Sequence, residues 1–202
     1  RYQSLIRAII LFSTGNGEKV YLRDLLRERK ETNESGHDIC SVSVSKGVVN
    51  QIQYLGRSFS AKETSHYHVV RYGDIVYTKS PTGEFPYGII KQSYINEPVA
   101  VSPLYGVYTP SNTNIGVFLH HYFESPTHAK NYLHPLIQKG AKNTINITNQ
   151  HFLDNVIPLP PTDILEKTVS VILRISEKLN CEEMQLSLLN TQKKFLLNQM
   201  FI

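Results

Sequence analysis

The side chains of this 202-residue sequence that could do chemistry gather in a few places, and most of them suggest recognition instead of bond-making. His66 and His68 stand two apart, which on a strand puts both on one face and could begin a metal site. No third ligand follows nearby. His120 and His121 are adjacent and diverge by about 100° if helical, so no metal is expected at either place. Asp74 and Lys79 offer a carboxylate and an amine, as a nuclease would, but a turn after Gly73 accounts for the aspartate. His151, Asp154 and the tyrosines do not group convincingly. There is no glycine-rich phosphate loop followed by lysine, no nucleophile elbow and no dinucleotide fingerprint, which argues against a self-contained ATPase, nuclease or methyltransferase. Cys40 and Cys181 are far apart and lack ligand spacing, so neither a disulfide framework nor zinc is indicated, and a reducing cytoplasm fits best.

What remains are clusters of donors, acceptors and cations. Tyr77-Thr78-Lys79-Ser80-Pro81-Thr82-Gly83-Glu84 leaves an apolar run and bunches hydrogen-bonding side chains on a loop held by Pro81 and Gly83. Gln138, Lys139, Lys142 and Asn143 surround Gly140. Lys46 near a predicted turn, Arg57, and Tyr105 after Ser102-Pro103 are further candidates.

The elements that must position these groups read as an α+β chain. Ser4 to Phe12 is apolar but interrupted by Arg7, and far shorter than the roughly 20 residues of a membrane span, so it reads as a buried helix. A helix is expected around Leu22 to Lys30. Strands are expected at Ile39 to Val44, Val69 to Tyr77, Tyr87 to Ile90 and Val99 to Tyr108, each β-branched or aromatic and bounded by Gly, Pro, Ser or Asn. Ile115 to Phe123 and His128 to Ile137 look helical.

The sharpest boundary is Ile157-Pro158-Leu159-Pro160-Pro161, an extended stretch that divides a domain at 1–161 from a single helix at 162–202. From Asp163 onward there is neither Gly nor Pro, and Asp163 with Glu166 has the pattern of a capping box. A heptad frame places Leu165, Ile172, Leu179, Leu186, Lys193 and Met200 at a, and Thr168, Ile175, Glu182, Leu189 and Leu196 at d. Eight of these eleven positions are apolar, a coiled-coil seam that needs a partner helix. Leu165, Ile172, Ile175, Leu179, Leu186, Leu189, Leu196 and Met200 are therefore the expected dimerisation residues. Formal net charge is +4, and all of it lies before the helix: residues 163–202 carry five basic and five acidic side chains. That surplus suits a phosphate backbone without requiring one.

In order and spacing, a set of short segments is similar to the specificity subunits of Type I restriction-modification enzymes. They are Ser41-Val42-Ser43 with Gly47, Val70 to Tyr77, Val101 to Tyr105 with Val107, Gly140 to Ile145 with Ile147, Phe152, Ile157 to Pro161, and Lys193 to Leu197 at the end of the long helix. Together they span roughly residues 20 to 200. One departure is Thr162-Asp163-Ile164-Leu165-Glu166, where family members often have Glu-Gln soon after the double proline.

The resemblance implies one target-recognition domain and one conserved helix, half of the usual two of each, with helices that pack antiparallel as a spacer. It implies a homodimer reading a gapped, palindromic double-stranded DNA target and guiding a methyltransferase subunit, with or without a restriction subunit, to adenine methylation. The chain itself is then no enzyme. S-adenosylmethionine, ATP and magnesium belong to partner subunits, and no cofactor is expected here. On that reading Lys46, Arg57, Tyr77, Thr78, Lys79, Ser80, Tyr105, Gln138, Lys139, Lys142 and Asn143 are the DNA-contacting candidates, with cations at phosphates and amides or hydroxyls at base edges. A competing expectation keeps the coiled coil as the working part of a protein-interaction module without DNA binding. A third is an enzyme built on His151, Asp154 or tyrosines. The start at Arg1 leaves open that the chain is a piece of a full-length subunit.

Overall fold

A computed structural model describes residues 2–52, 63–139 and 145–200. Helix α1 (Tyr2–Thr14) leads into strand β1 (Glu18–Tyr21), which pairs antiparallel with β12 (Val156–Leu159), and β12 feeds the 39-residue helix α5 (Thr162–Met200). Because α1 enters one strand of this ribbon and α5 leaves the other, the two helices lie side by side and antiparallel. The ribbon tolerates Pro158 because a two-stranded pair leaves one edge of each strand without ladder bonds.

Between these ends lie two four-stranded sheets. The first has the order β2 (Leu26–Glu28), β9 (Gly106–Pro110), β6 (Ile75–Thr78), β7 (Ile89–Gln92) and is antiparallel throughout. The second has the order β4 (Gly47–Asn50), β3 (Ile39–Ser43), β8 (Val99–Val101), β5 (His68–Val70), with β3 and β8 parallel. The alternation of strand side chains divides the core in two. Val76 and Val107 face the second sheet and meet Cys40, Val48, Val70, Val99 and Val101. Ile75, Tyr77 and Tyr108 face the other way, into a larger core with α1, α3 (Thr113–Phe123), α4 (Pro126–Leu133) and the start of α5. A sheet covered on both faces reads as a continuous apolar run, as β6 does. Strands β10 (Gln138–Lys139) and β11 (Ile145–Asn146) form a separate short hairpin.

The mixed α and β domain with its long carboxy-terminal helix agrees with the sequence reading, and several local expectations change. Val69–Tyr77 is two strands, because Gly73 at φ +87° turns the chain between β5 and β6. Val99–Tyr108 is likewise split by a turn whose Tyr105 N–H donates to Ser102 O at 2.9 Å. The helix expected through Lys30 is only the single turn α2 (Leu22–Leu25), since the residues after it pair with β9. Pro161, not Asp163, is the residue that caps the start of α5, its carbonyl accepting from Leu165 N at 2.8 Å.

The largest correction concerns α5. Leu165, Val169 and Ile172 are buried in the chain's own core beside Ile6 and Ile10 of α1, and Ile175 and Leu179 are half-buried. Leu165 and Ile172 are thus taken by an intrachain partner, α1. Tyr2 at the outer end of α1 donates to Glu182 Oε1 at 3.1 Å, and beyond this point α5 stands alone. Every residue from Cys181 to Gln199 is exposed, including Leu186 (60%), Leu189 (62%) and Leu196 (51%). Of Met200 only the helical backbone is described. No helix among the described residues is long and apolar enough to cross a membrane.

Candidate nucleic-acid interface

The loop after β6 is fixed at both ends by buried groups. Tyr77 stacks on Phe152 with ring centroids 4.6 Å apart, and its hydroxyl donates to Tyr87 O at 2.8 Å. It has no exposed surface, and burial pushes its phenol well above the ordinary range. Thr78 is 2% exposed and its Oγ accepts from Ser80 N. These two candidates are corrected from contacts to supports: they hold the loop from beneath. Gly88 completes the support at φ +106°, where a Cβ would collide with Thr78 O. The exposed part runs from Ser80 to Glu84, closed by the Thr82–Phe85 bridge and anchored by the buried Phe85.

Sheet register brings other groups to the same rim. Tyr77 lies opposite Gly106, so the next pair along places half-exposed Tyr105 across from Thr78. On the far side of β9, Arg29 N donates to Val107 O at 2.8 Å, which carries exposed Lys30 to the level of Gly106. Lys79 is half-buried, and desolvation lowers its pKa, with Glu28 pulling the other way. Lys30, Lys79, Ser80 and Tyr105 therefore share one end of the first sheet. Sequence reading missed Lys30 because it placed that residue in a helix.

Other candidates lie elsewhere. Lys46 is exposed in the β3–β4 turn and lines a cleft of about 720 Å³ with Asp38, Asn50 and Glu97. The adjoining Gly47 approaches Gln92 O, at the end of β7 opposite the loop after β6, so Lys46 sits away from Lys79. Gln138 and Lys139 lie on β10, where only their backbone is described. Arg57, Lys142 and Asn143 lie outside the described residues.

Two titratable clusters serve the scaffold. Asp74, 2% exposed, accepts from Arg29 Nε (2.7 Å) and Nη2 (3.1 Å), Thr109 Oγ1 (2.9 Å) and Arg71 N (2.9 Å). It ties β6, β9 and the segment after β2 together, with Arg71 clasping Glu31 at 2.7 Å outside. The second cluster is His120, His121 and Glu124, whose candidate ligand atoms lie within 4.8 Å of one another. Both histidines reach one carboxylate despite being adjacent. Yet Lys91 Nζ already sits 2.9 Å from Glu124 Oε1, and Gln92 N donates to His120 Nδ1 at 3.0 Å. That bond leaves the neutral ring's proton on Nε2, 3.5 Å from Glu124 Oε1, so the group is a closed ion-pair cluster. Burial lowers the His120 pKa to about 4. Burial alone would raise Glu124, but bonds from both histidines and the Lys91 charge outweigh it, and the carboxyl stays ionised far below its usual range. His151, from the third expectation, pairs with Asp154 at 3.0 Å, and Asp154 meets Arg23 at 3.5 Å.

Among solved structures, this chain is similar to the crystal structure of the HsdS subunit from Thermoanaerobacter tengcongensis. The TM-score is 0.51 at 14% identity, over 91% of this chain and 45% of that one. The two share a fold. This chain spans about half the length of that HsdS chain. No family model and no curated protein matches the sequence.

Proposed function

We propose that this chain is a non-catalytic DNA-recognition module of a restriction-modification system, a Type I specificity subunit of half length, directing a methyltransferase subunit to a bipartite target. The observation that carries the reading is architectural. A two-sheet domain on a long helix, as in HsdS, is seen in a chain whose ordered segments independently resemble that family. The rim of Lys30, Lys79, Ser80 and Tyr105 is the DNA-facing candidate within the described residues, with cations for phosphates and hydroxyls for base edges. The whole basic surplus of the chain lies in this domain. The uncovered half of α5 supplies self-association, so that two domains read two half-sites. S-adenosylmethionine, ATP and magnesium belong to the partner subunits on this reading.

The exposed leucines of α5 also favour a second reading, a helical interaction module that does not touch DNA. Mapping adenine methylation by single-molecule sequencing, in cells expressing this chain with a Type I methyltransferase subunit, separates the two. A gapped motif present only with the chain supports the recognition role. Methylation indifferent to the chain removes it.

A further inference from the structure

Between β1 and β12, the most exposed large apolar side chain among the described residues is Leu104, at 71%. A single exposed leucine is ordinary on a protein surface. What sets this one apart is how firmly it is presented, and where. Leu104 is the third residue of the turn Ser102-Pro103-Leu104-Tyr105, in which the Pro103 ring fixes one backbone angle and Tyr105 N donates to Ser102 O at 2.9 Å. Leu104 N itself donates to Ser102 Oγ at 3.3 Å. On the other side, His68 Nδ1 lies 3.0 Å from Tyr105 O; a carbonyl only accepts, so the ring donates and ties the turn to β5. The Tyr105 side chain packs against the core of the second sheet. The turn is thus held by its own backbone and by the core, and it keeps an apolar group in water. That group stands one residue beyond Tyr105, at the end of the first sheet that carries Lys30, Lys79 and Ser80.

We propose that Leu104 reads a thymine in the half-site its domain faces, by packing against the 5-methyl group in the major groove. The inference rests on the DNA-recognition reading and adds a base type to it. In the major groove the thymine methyl is the apolar group that base edges offer; the rest of the pattern consists of donors and acceptors. The cations and hydroxyls of the rim match phosphates, donors and acceptors, and a methyl is matched by Leu104. The stiffness of the turn matters because an apolar contact has no directional bond, so the position of the side chain alone decides which base it meets.

The test uses the full chain together with a Type I methyltransferase subunit. Adenine methylation mapped by single-molecule sequencing should give a motif with a thymine that Leu104→Ala relaxes to any base while the other positions stay fixed. On synthetic duplexes of that motif, deoxyuridine in place of this thymine removes only the methyl and should weaken binding of the parent complex about three- to fivefold, as expected for one buried methyl. Leu104→Ala should bind the thymine duplex at least as weakly as the parent binds the deoxyuridine one, and should no longer distinguish the two. Leu104→Met should keep the discrimination. Because the side chain is exposed, the urea midpoint of Leu104→Ala should match that of the parent. A parent indifferent to deoxyuridine at every thymine, or a Leu104→Ala complex that discriminates as the parent does, would overturn the inference and leave the recognition role intact. Weaker binding by Leu104→Ala without any thymine–deoxyuridine difference would overturn it in favour of a side chain wedged between bases. Failure of the recognition reading looks different: methylation would then be indifferent to the chain altogether, and the inference would fall with it.

Discussion

Asp74 shows how a residue that looks like a catalytic acid in sequence can be structural. Four donors converge on a carboxylate that is 2% exposed, and two of them come from one guanidinium. Removing the carboxylate leaves Arg29 charged and only 21% exposed without its main partner, so Asp74→Ala should cost about 3 kcal/mol in urea unfolding. Arg71→Ala, whose pair with Glu31 is largely exposed, should cost about 0.5 kcal/mol or less. Equal losses would mean that Asp74 is not the hub. The second cluster sets a pH dependence. His120 has a folded pKa of about 4 against an ordinary 6.5, so protonation favours the unfolded chain. Its contribution is complete above pH 6.5 and is lost as pH falls toward 4. Glu124, whose folded pKa is depressed, contributes above its ordinary 4.5 and loses that as pH drops further. The signs agree. Stability should decline on the order of 2–3 kcal/mol between pH 6.5 and 4, and His120→Gln should flatten the upper part of that decline in denaturant titrations at pH 7, 5.5 and 4.5.

The elements differ in how well sequence exposed them. The long helix was legible because neither Gly nor Pro interrupts it and its heptads are regular. Which half finds a partner within the chain was not, because heptad spacing is the same for an intrachain and an intermolecular neighbour. The antiparallel α1 and α5 follow from the β1–β12 ribbon, a contact between residues about 140 apart in sequence that no local pattern encodes. Tyr77 and Thr78 were misread for a related reason. Aromatic and hydroxyl side chains suit a recognition loop as well as a support beneath it, and only the stacking of Tyr77 on Phe152 decides between them. The two halves of α5 should respond differently to substitution. Ile172→Ala in the buried half should cost about 2–5 kcal/mol in stability at any protein concentration. Leu186→Ser with Leu189→Ser should leave the thermal midpoint of dilute protein nearly unchanged and abolish self-association at high concentration. A large loss of stability from the serine pair in dilute protein would show that the exposed half is already covered within one chain.

At the scale of the whole molecule, the proposed function requires two domains held at a fixed distance by self-association of their helices. Each domain is fixed to its helix by the buried Leu165, Val169 and Ile172, so the recognition rim moves with the helix it stands on. On duplex DNA the two half-sites of such a dimer should therefore keep one fixed spacing from centre to centre. Two-fold symmetry makes them inverted repeats of one another. On the proposed function the same domains would supply the affinity for DNA. Replacing Lys30 and Lys79 with Gln should weaken binding nearly uniformly across sequences and reduce the salt slope by about one unit for each phosphate that is no longer neutralised. Spacing and affinity thus arise from separate parts. The lysine variants should leave the spacing of the methylated motif unchanged, while disruption of the helix pairing should remove the bipartite motif and leave single-domain binding to a half-site. A spacing that changes with the lysines would show that the rims do not follow the helices.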